Sequence, residues 1–481
     1  MKRLIVLAAA ALSLATAKSA ENARKNESGG HRSLTLENAV VIALKQNPDI
    51  LKAIHEIERT RGQVVEVRAQ ALPHLVGTGT YNQQDPNLIK STVVTSSSDP
   101  NSPAQASGNS VAGLDKTWRI TIEARQLLYS GGQVRAAVKI AKLTEDSSTN
   151  MLRETVAQVI ANVRTQFSTV LLDRDLITVS EESIELLSDQ LKDQQNRFSA
   201  GTVPRFNVLQ AEVALANARP DLIRARNNHL IARLQLAKTL GFDANQEVNV
   251  IGELRANPGD LSLSRALASA KERRPILKAQ KNTIESDQEQ ITVAAAGYKP
   301  QLSADAGYEV TNARNTTDLS RQVSGWYMGV TGTWNIFDGL QTKGRVDQAK
   351  AQLASAKVNF ADSTQQVELE VQKAFAAVNQ ARELIASQTK VVEQADEALR
   401  LAKERLAAGA GTQLDVLSAQ VARTQARTTQ KQALSDYNVA IAEFDRATGA
   451  ETIYDNTFAE PGGLRSHSSH GGARAPLITR D

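Results

Sequence analysis

The chain has 481 residues, 56 Lys and Arg against 52 Asp and Glu, a formal net charge of +4 and no cysteine. Two of the positive charges, Lys2 and Arg3, belong to an N-terminal export signal, so the mature chain is close to neutral and offers no electrostatic case for nucleic acid. Lack of cysteine excludes disulfides and a lipid-modified N-terminal Cys, so an exported chain of this kind draws its stability from packing and assembly.

Lys2-Arg3 form a positive n-region, Leu4 to Leu14 an apolar h-region, and Ala15-Thr16-Ala17 an A-x-A site. This predicts a secretory signal over 1–17, cleaved after Ala17, with Ala20 as the second choice. No other stretch approaches the roughly 18 continuous apolar residues of a transmembrane helix. Residues 18–33 are polar, contain Gly29-Gly30 and read as a linker. From Leu34 to Gln70 the pattern is helical, capped at Ser33 or Thr35, broken at Asn47-Pro48 and stopped by Pro73.

The period then changes. A weaker strand at about 74–84 precedes a strong one at 117–129, in which Trp118, Ile120, Ile122, Ala124 and Leu128 alternate with Thr117, Arg119, Thr121, Glu123 and Arg125. Gln126 is the one polar residue on the apolar face. Between them Gln83–Lys116, rich in Ser, Asn, Pro and Gly, reads as a mobile loop. After Gly131-Gly132 a long helix is predicted over 132–200, with Val156, Val163, Val170, Ile177, Ile184, Leu191 and Phe198 recurring every seven residues. Such a helix extends about 100 Å and must pack against other helices along its length. Gly201-Thr202-Val203-Pro204 breaks it, and a returning helix runs over 204–240 to Gly241.

The pattern then repeats: a helix from Leu261 to Ala296, strands at about 301–310 and 324–337, a long helix over 340–408, a break at Gly409-Ala410-Gly411-Thr412 and a returning helix over 413–448. A shift of 208 carries Trp118 onto Trp326, Tyr129 onto Phe337, Gly201 onto Gly409 and Gly241 onto Gly449; upstream of the strands the shift is 227. The difference falls in the loop between the paired strands, where insertion is tolerated. The chain is thus a duplicated half, 34–250 and 251–449, with a tail over 450–481 that reads as disordered. Duplicated halves of this size point to pseudo-twofold symmetry about a common axis.

All three tryptophans sit in the strand segments. Trp326 and Trp334, eight residues apart, are placed by strand geometry roughly 26 Å apart, close to the apolar band of an outer-membrane barrel with an aromatic at each rim. The competing reading is a soluble hairpin with tryptophan in its core, but there is no other sheet to pack against. Trp118, Tyr129, Trp326, Trp334 and Phe337 are therefore the candidate membrane-rim aromatics. Two hairpins give four strands, and an open sheet cannot span lipid because every backbone N–H and C=O must be paired. The chain must oligomerise to close a barrel. Two copies give eight strands and three give twelve; spacing does not choose.

The double succession of helix, strand pair, long helix, Gly-containing turn and returning helix resembles the TolC-type outer-membrane efflux and type I secretion channels. The resemblance covers about Leu34 to Gly449. It is most specific at Leu128-Tyr129-Ser130-Gly131-Gly132, Ile336-Phe337-Asp338-Gly339 and Ala408-Gly409 through Thr412 to Leu414-Asp415-Val416-Leu417. It implies a mostly α chain with membrane β, forming a homotrimer: a twelve-stranded outer-membrane barrel continuing into a periplasmic α-helical barrel. It further implies partnership with a periplasmic adaptor protein and an inner-membrane pump of RND or ABC type, with the two Gly turns, 201–204 and 409–412, as adaptor contacts. By the same resemblance Asp415 is the candidate periplasmic gate, three copies forming an acidic ring. The other reading of Asp415 is a helix-start residue favoured by the helix dipole. Departures from the family pattern surround it: Gly411 stands where the best-known member has an arginine, Leu406 a tyrosine, Ser418 a second aspartate, and Asn207 replaces an aspartate in the first copy.

No catalytic or metal-ligating constellation is present in the sequence. The six histidines show no paired ligand spacing, and there is no G-x-S-x-G, P-loop or dinucleotide fingerprint. No enzyme, cofactor or metal is expected. The runner-up reading is a periplasmic coiled-coil adaptor or spacer, which accounts for the heptads but not for the tryptophan-bearing strand pairs.

Overall fold

A computed structural model of the chain describes residues 33–85, 116–243, 248–257, 259, 261–312 and 319–450. The expected signal (1–17), nearly all of the linker, most of the loop between the first strand pair and nearly all of the tail lie outside the described residues. In chain order the elements are β1 (Ser33–Leu34), α1 (Leu36–Gln46), α2 (Pro48–Ala69), β2 (His74–Gln83), β3 (Lys116–Tyr129), α3 (Gln133–Ser199), α4 (Arg205–Leu240), β4 (Asn249–Val250), α5 (Leu263–Arg273), α6 (Pro275–Ala295), β5 (Gln301–Asn312), β6 (Gln322–Thr333), α7 (Gln341–Ala407) and α8 (Gln413–Thr448). No described helix is long and apolar enough to cross a membrane.

The chain divides into two compact units. One comprises Met1–Ile54, Met151–Pro275 and Thr364–Asp481; the other His55–Asn150 and Ile276–Ser363. The first unit holds the main apolar core, where Val156, Val163 and Val170 of α3 pack with Val40, Leu44 and Ile50 and with Leu236 and Leu240 of α4. A two-residue parallel ladder, Ser33 with Asn249 and Leu34 with Val250, closes its side. Neither of these two-residue strands carries a period from which it could be expected. Burial does not follow the seven-residue run throughout α3: Val179, Leu187 and Gln194 are buried, whereas Phe198 is 45% exposed. A straight helix of 3.6 residues per turn drifts off a strict heptad, which moves the seam.

Each copy breaks its leading helix before a proline. Asn47 and Arg274 take extended ψ angles of 127° and 119°, because the residue before proline is sterically excluded from the helical region. The freed polar groups are satisfied in the same place by different chemistry. Asn47 accepts from the Asp49 amide (2.8 Å) and donates through Nδ2 to the Thr239 carbonyl (2.7 Å). Arg274, its counterpart, reaches the equivalent Ala447 carbonyl at 3.4 Å, and also Glu154 at 2.8 Å and Glu370 at 3.1 Å. Its side chain is 4% exposed. Against each joint lies a left-handed glycine ending the returning helix, Gly241 (φ 80°) and Gly449 (φ 62°). A Cβ on Gly241 would lie 2.4 Å from the Gln46 carbonyl oxygen.

Arg446 shares the acidic partners, 3.3 Å from Glu370 and 2.7 Å from Glu443. Burial pushes the Glu370 carboxyl up, but Arg274 and Arg446 outweigh it and hold it below the usual carboxylate range.

The second unit holds the antiparallel sheet, ordered β2-β3-β5-β6, so that the two copies meet through β3 and β5. The strand expected over 324–337 ends earlier, at Thr333, and Trp334 and Phe337 lie beyond it. The last rung pairs Thr333 with Gln301, and Pro300 just before it has no N–H to extend the ladder. The two-rim spacing argued for Trp326 and Trp334 therefore does not hold along a single strand.

Gly201→Ala, at a left-handed turn with open space around it, should cost roughly 1–2 kcal/mol of strain. Gly241→Ala adds the collision with Gln46 and should lower the thermal midpoint of the helical signal clearly more. Arg274→Met leaves Glu154 and Glu370 to Arg446 alone and should cost about 3 kcal/mol or somewhat less at neutral pH. Because the Glu370 carboxyl is depressed in the folded chain, its contribution is complete above the ordinary carboxylate range and is lost as pH falls through the folded value. The gap between wild type and Arg274→Met, read by denaturant unfolding, should therefore narrow in acid.

Candidate membrane face and helical tips

Strand register sorts the four-stranded sheet into two unlike faces. On one lie Leu75, Tyr81, Trp118, Ile120, Ile122, Ala124, Leu302, Ala304, Ala306, Tyr308, Val310, Trp326, Met328 and Val330. Cross-strand rungs such as Ile122–Tyr308–Trp326 and Ala124–Ala306–Met328 make this face continuous. It is open in the single chain: Trp326 is 77% and Met328 75% exposed. An apolar surface of this extent marks a membrane or protein contact.

The other face carries Arg119, Glu123, Arg125, Asp305 and Glu309, every charged residue of the four strands except Lys116 at the start of β3. Four of these charges are paired where they stand. Arg119 lies 3.4 Å from Glu309, Arg125 lies 2.9 Å from Glu123, and the Tyr327 hydroxyl donates to Glu123 at 3.1 Å. Gly307 sits between Glu123 and Tyr327 on one rung, and a Cβ there would meet the Tyr327 ring at 2.8 Å. The missing side chain lets tyrosine lie across the sheet and reach the carboxylate. Thr121, at 7% exposure, is buried on this face.

The expected rim aromatics do not all occupy one kind of position. Trp118 and Trp326 lie on strands, and Trp118 donates its indole N–H to the Leu319 carbonyl (3.0 Å). Tyr129 ends β3 opposite Leu302, past a bulge after Leu127. Trp334 and Phe337 follow β6 in an irregular connection, with the Trp334 indole donating to the Tyr298 carbonyl at 3.1 Å.

At the far turns the two copies again match. Gly201 (φ 75°) and Gly409 (φ 77°) reverse the chain. The next residues donate their amides back to the same place in the helix: Thr202 to the Arg197 carbonyl (2.9 Å) and Ala410 to the Arg405 carbonyl (2.8 Å). Val203 and Pro204 lead into α4, where Pro204 is the N-cap without a side-chain bond. Gly411 precedes Thr412, the N-cap of α8, which forms a capping box with Asp415. The Asp415 amide donates to the Thr412 hydroxyl (3.2 Å), and the Thr412 amide to the Asp415 carboxylate (2.8 Å). The Thr412 amide, then its hydroxyl, and the Arg405 charge hold the Asp415 carboxyl below its ordinary range. Its oxygen is thus engaged within its own turn.

The ties between the two copies at this end are other residues. Gln413, 5% exposed, donates to the Asn207 carbonyl at 3.0 Å. Gln420 reaches the Ser183 carbonyl (3.2 Å), and Lys431 pairs with Asp175 (2.8 Å). Between them Arg423 and Arg427 of α8 close on Asp396 of α7 and Glu182 of α3. Burial opposes the Asp396 charge, but the Arg423 hydrogen bond and the Arg427 charge outweigh it and hold the carboxyl below its usual range. Of these, the sequence singles out only Asn207, where the family pattern has an aspartate. The available signal was Gln413, Gln420 and Arg427, polar residues repeated at heptad spacing in an otherwise Ala-rich helix. Among the described residues no three His, Cys, Asp or Glu side chains converge as metal ligands.

The two faces separate cleanly by substitution. Val330→Arg puts a charge on the apolar face and should cost roughly 2–4 kcal/mol at the bilayer midplane, lowering the yield of membrane-inserted protein. Thr331→Arg, one residue on, faces the charged side and should insert as wild type in the same fractionation.

A family profile described as "Outer membrane efflux protein" matches residues 39–242 and 266–450, in two segments that follow the duplication. Nodulation protein T of Rhizobium leguminosarum bv. trifolii is 21% identical over 420 residues, covering 86% of this chain and 85% of that protein. The probable efflux pump outer membrane protein TtgC of Pseudomonas putida is 24% identical over 406 residues, covering 80% and 76%. The solved CmeC outer membrane channel of Campylobacter jejuni shares the fold with a TM-score of 0.72 at 19% identity, covering 88% of each chain. With a profile spanning most of its length, the chain belongs to the outer membrane efflux protein family.

Proposed function

We propose that three copies of this outer-membrane efflux protein close a twelve-stranded barrel, and that their helices line a periplasmic tunnel. Through it, substrates delivered by an inner-membrane pump and a periplasmic adaptor leave the cell. The observation that carries the reading is the four-stranded sheet, apolar on one face, charged on the other, with β2 and β6 as open edges. Such a sheet is stable in lipid only when copies pair edge to edge. Its charged face then lines water and its apolar face meets acyl chains. A channel of this family is not an enzyme.

The turns at Gly201–Pro204 and Gly409–Thr412 are the adaptor contacts in this reading. Asp415 contributes negative charge near the mouth, but its hydrogen bonds belong to the capping box. Closure of the mouth is assigned instead to the Arg423–Arg427–Asp396–Glu182 cluster and the Gln413–Asn207 bond, which tie α3 and α4 to α7 and α8.

Cells lacking the protein should accumulate a fluorescent efflux dye, and a plasmid copy should reverse it; unchanged dye with the protein present in the outer membrane would redirect the reading to polymer or protein secretion. Replacing Arg423 and Arg427 together with Gln should raise entry of a large antibiotic normally kept out. Asp415→Asn should not. The reverse order would return the gate to Asp415.

A further inference from the structure

The second copy carries a polar ladder that the first does not. Along α7, Gln341, Arg345, Gln348 and Gln352 follow at spacings of four, three and four, and so share one helix face. A shift of 208 sets Gln133, Ala137, Ile140 and Thr144 of α3 at the matching positions, and only the first glutamine is kept. Opposite the ladder, α6 offers Gln290, Val293 and Ala294. The two helices are tied lower down, where Gln280 donates to the Ser363 hydroxyl oxygen at 2.6 Å. At the other end they meet at Gly297, in the 3₁₀ turn after α6, where a Cβ would lie 2.4 Å from the Thr342 hydroxyl oxygen. Between them lies a cleft of about 500 Å³, with Gln133 and Gln301 also on its wall.

We propose that this cleft is a lumenal subsite for a neutral, polyhydroxylated cargo, a short oligosaccharide on its way out of the cell. It rests on the duct reading, in which the charged face of the sheet lines water. Strand alternation puts Gln301 on that same face with Asp305 and Glu309, so the cleft opens to the lumen at the foot of the barrel. The lining names the ligand class. Six glutamines and Asn335 present carboxamides, each with a donor and an acceptor, which is what a sugar hydroxyl needs from its partners. The side chains of Gln290, Gln341, Gln348 and Gln352 make no hydrogen bond to another described residue, so their groups are free for a ligand. The charges of Arg345 and Asp338 cancel, and the Asp338 carboxylate already accepts from the Thr342 amide at 2.8 Å. No aromatic ring lines the cleft among the described residues, and its apolar surface is limited to small patches such as Val293, Ala294 and Ala349. An apolar drug would find little to bury against, since sites for such ligands are mostly apolar. Neutral hydrogen bonds in an open cleft bind weakly, and a duct needs cargo held well enough to enter and loosely enough to leave.

The test is single-channel recording of the full-length protein in planar lipid bilayers, so that only folded, inserted protein is scored. Maltotriose and cellotriose are the probes, with a polyethylene glycol of similar size as the control for simple crowding of the lumen. The subsite requires at least one trisaccharide to interrupt the ion current at a lower concentration than the glycol. Gln348→Ile with Gln352→Thr, which installs the side chains of the first copy, should raise the half-blocking concentration about tenfold, as expected for two lost neutral hydrogen bonds. Sugars no more effective than the glycol, or block unchanged in the double variant, would overturn the subsite while leaving the duct intact. Block by triglycine and by neither sugar would overturn the ligand class. Inserted protein that carries no ion current would overturn the duct reading on which the subsite rests.

Discussion

Lipid offers no hydrogen bonds, and that single constraint organises this chain. Four strands present two open edges, β2 and β6, and each edge carries a row of amides and carbonyls that hydrocarbon will not accept. Closure by further copies is the physical remedy, and it dictates the side chains as well. The face turned to lipid keeps Ile120, Ile122, Met328 and Val330, while Arg119, Glu123, Arg125, Asp305 and Glu309 gather on the other face, where water and mutual pairing stabilise them. The constraint also explains why an Ala-rich protein with few aromatics keeps all three tryptophans in or beside these strands.

The helical unit answers a different problem: how two copies of one sequence pack without being identical. The backbone solution is shared. A pre-proline break, a left-handed glycine and a carbonyl at the end of the returning helix recur at Asn47–Gly241–Thr239 and at Arg274–Gly449–Ala447. The side chains diverge. A short amide suffices in the first copy, whereas the guanidinium of the second gathers Glu154 and Glu370 from both long helices. Backbone geometry is thus preserved by turn chemistry, and chain-specific charge is added where a longer side chain reaches further.

Much of this was legible in the residues because it depends on local rules. Alternation from Trp118 to Leu128 marks a two-faced strand; Gly201, Gly241, Gly409 and Gly449 mark the corners; Pro48 and Pro275 mark the breaks. What stayed hidden depends on partners distant in sequence. The alternation of Trp334 and Ile336 continues past the end of β6 because period cannot report that the neighbouring strand starts only after Pro300. The β1–β4 pair is too short to have a period. At the tips, sequence directed attention to Asp415, whose acid character and position match a gate, but a Thr three residues earlier is also the signature of a capping box. The Arg423, Arg427, Asp396 and Glu182 cluster joins three helices, and no spacing along one helix discloses it.

Where those ties lie decides what must move for a duct to open. A single strong lock would shut the mouth firmly but would demand one large input to break. The ties here are several and individually modest: Glu182 and Asp396 are roughly 40% exposed, and ion pairs so placed are screened and worth little singly. Their strength lies in sharing: two arginines hold two carboxylates, so each charge keeps a partner until both are pulled away. The Gln413–Asn207 and Gln420–Ser183 bonds add neutral ties from α8 to α4 and to α3, bonds that salt does not screen. In the proposed duct, a partner engaging the glycine turns would meet these ties one after another. On that reading the Gln413–Asn207 bond beside the turns would give way first, and the Arg423–Arg427 cluster further along α8 would follow as the helices shift.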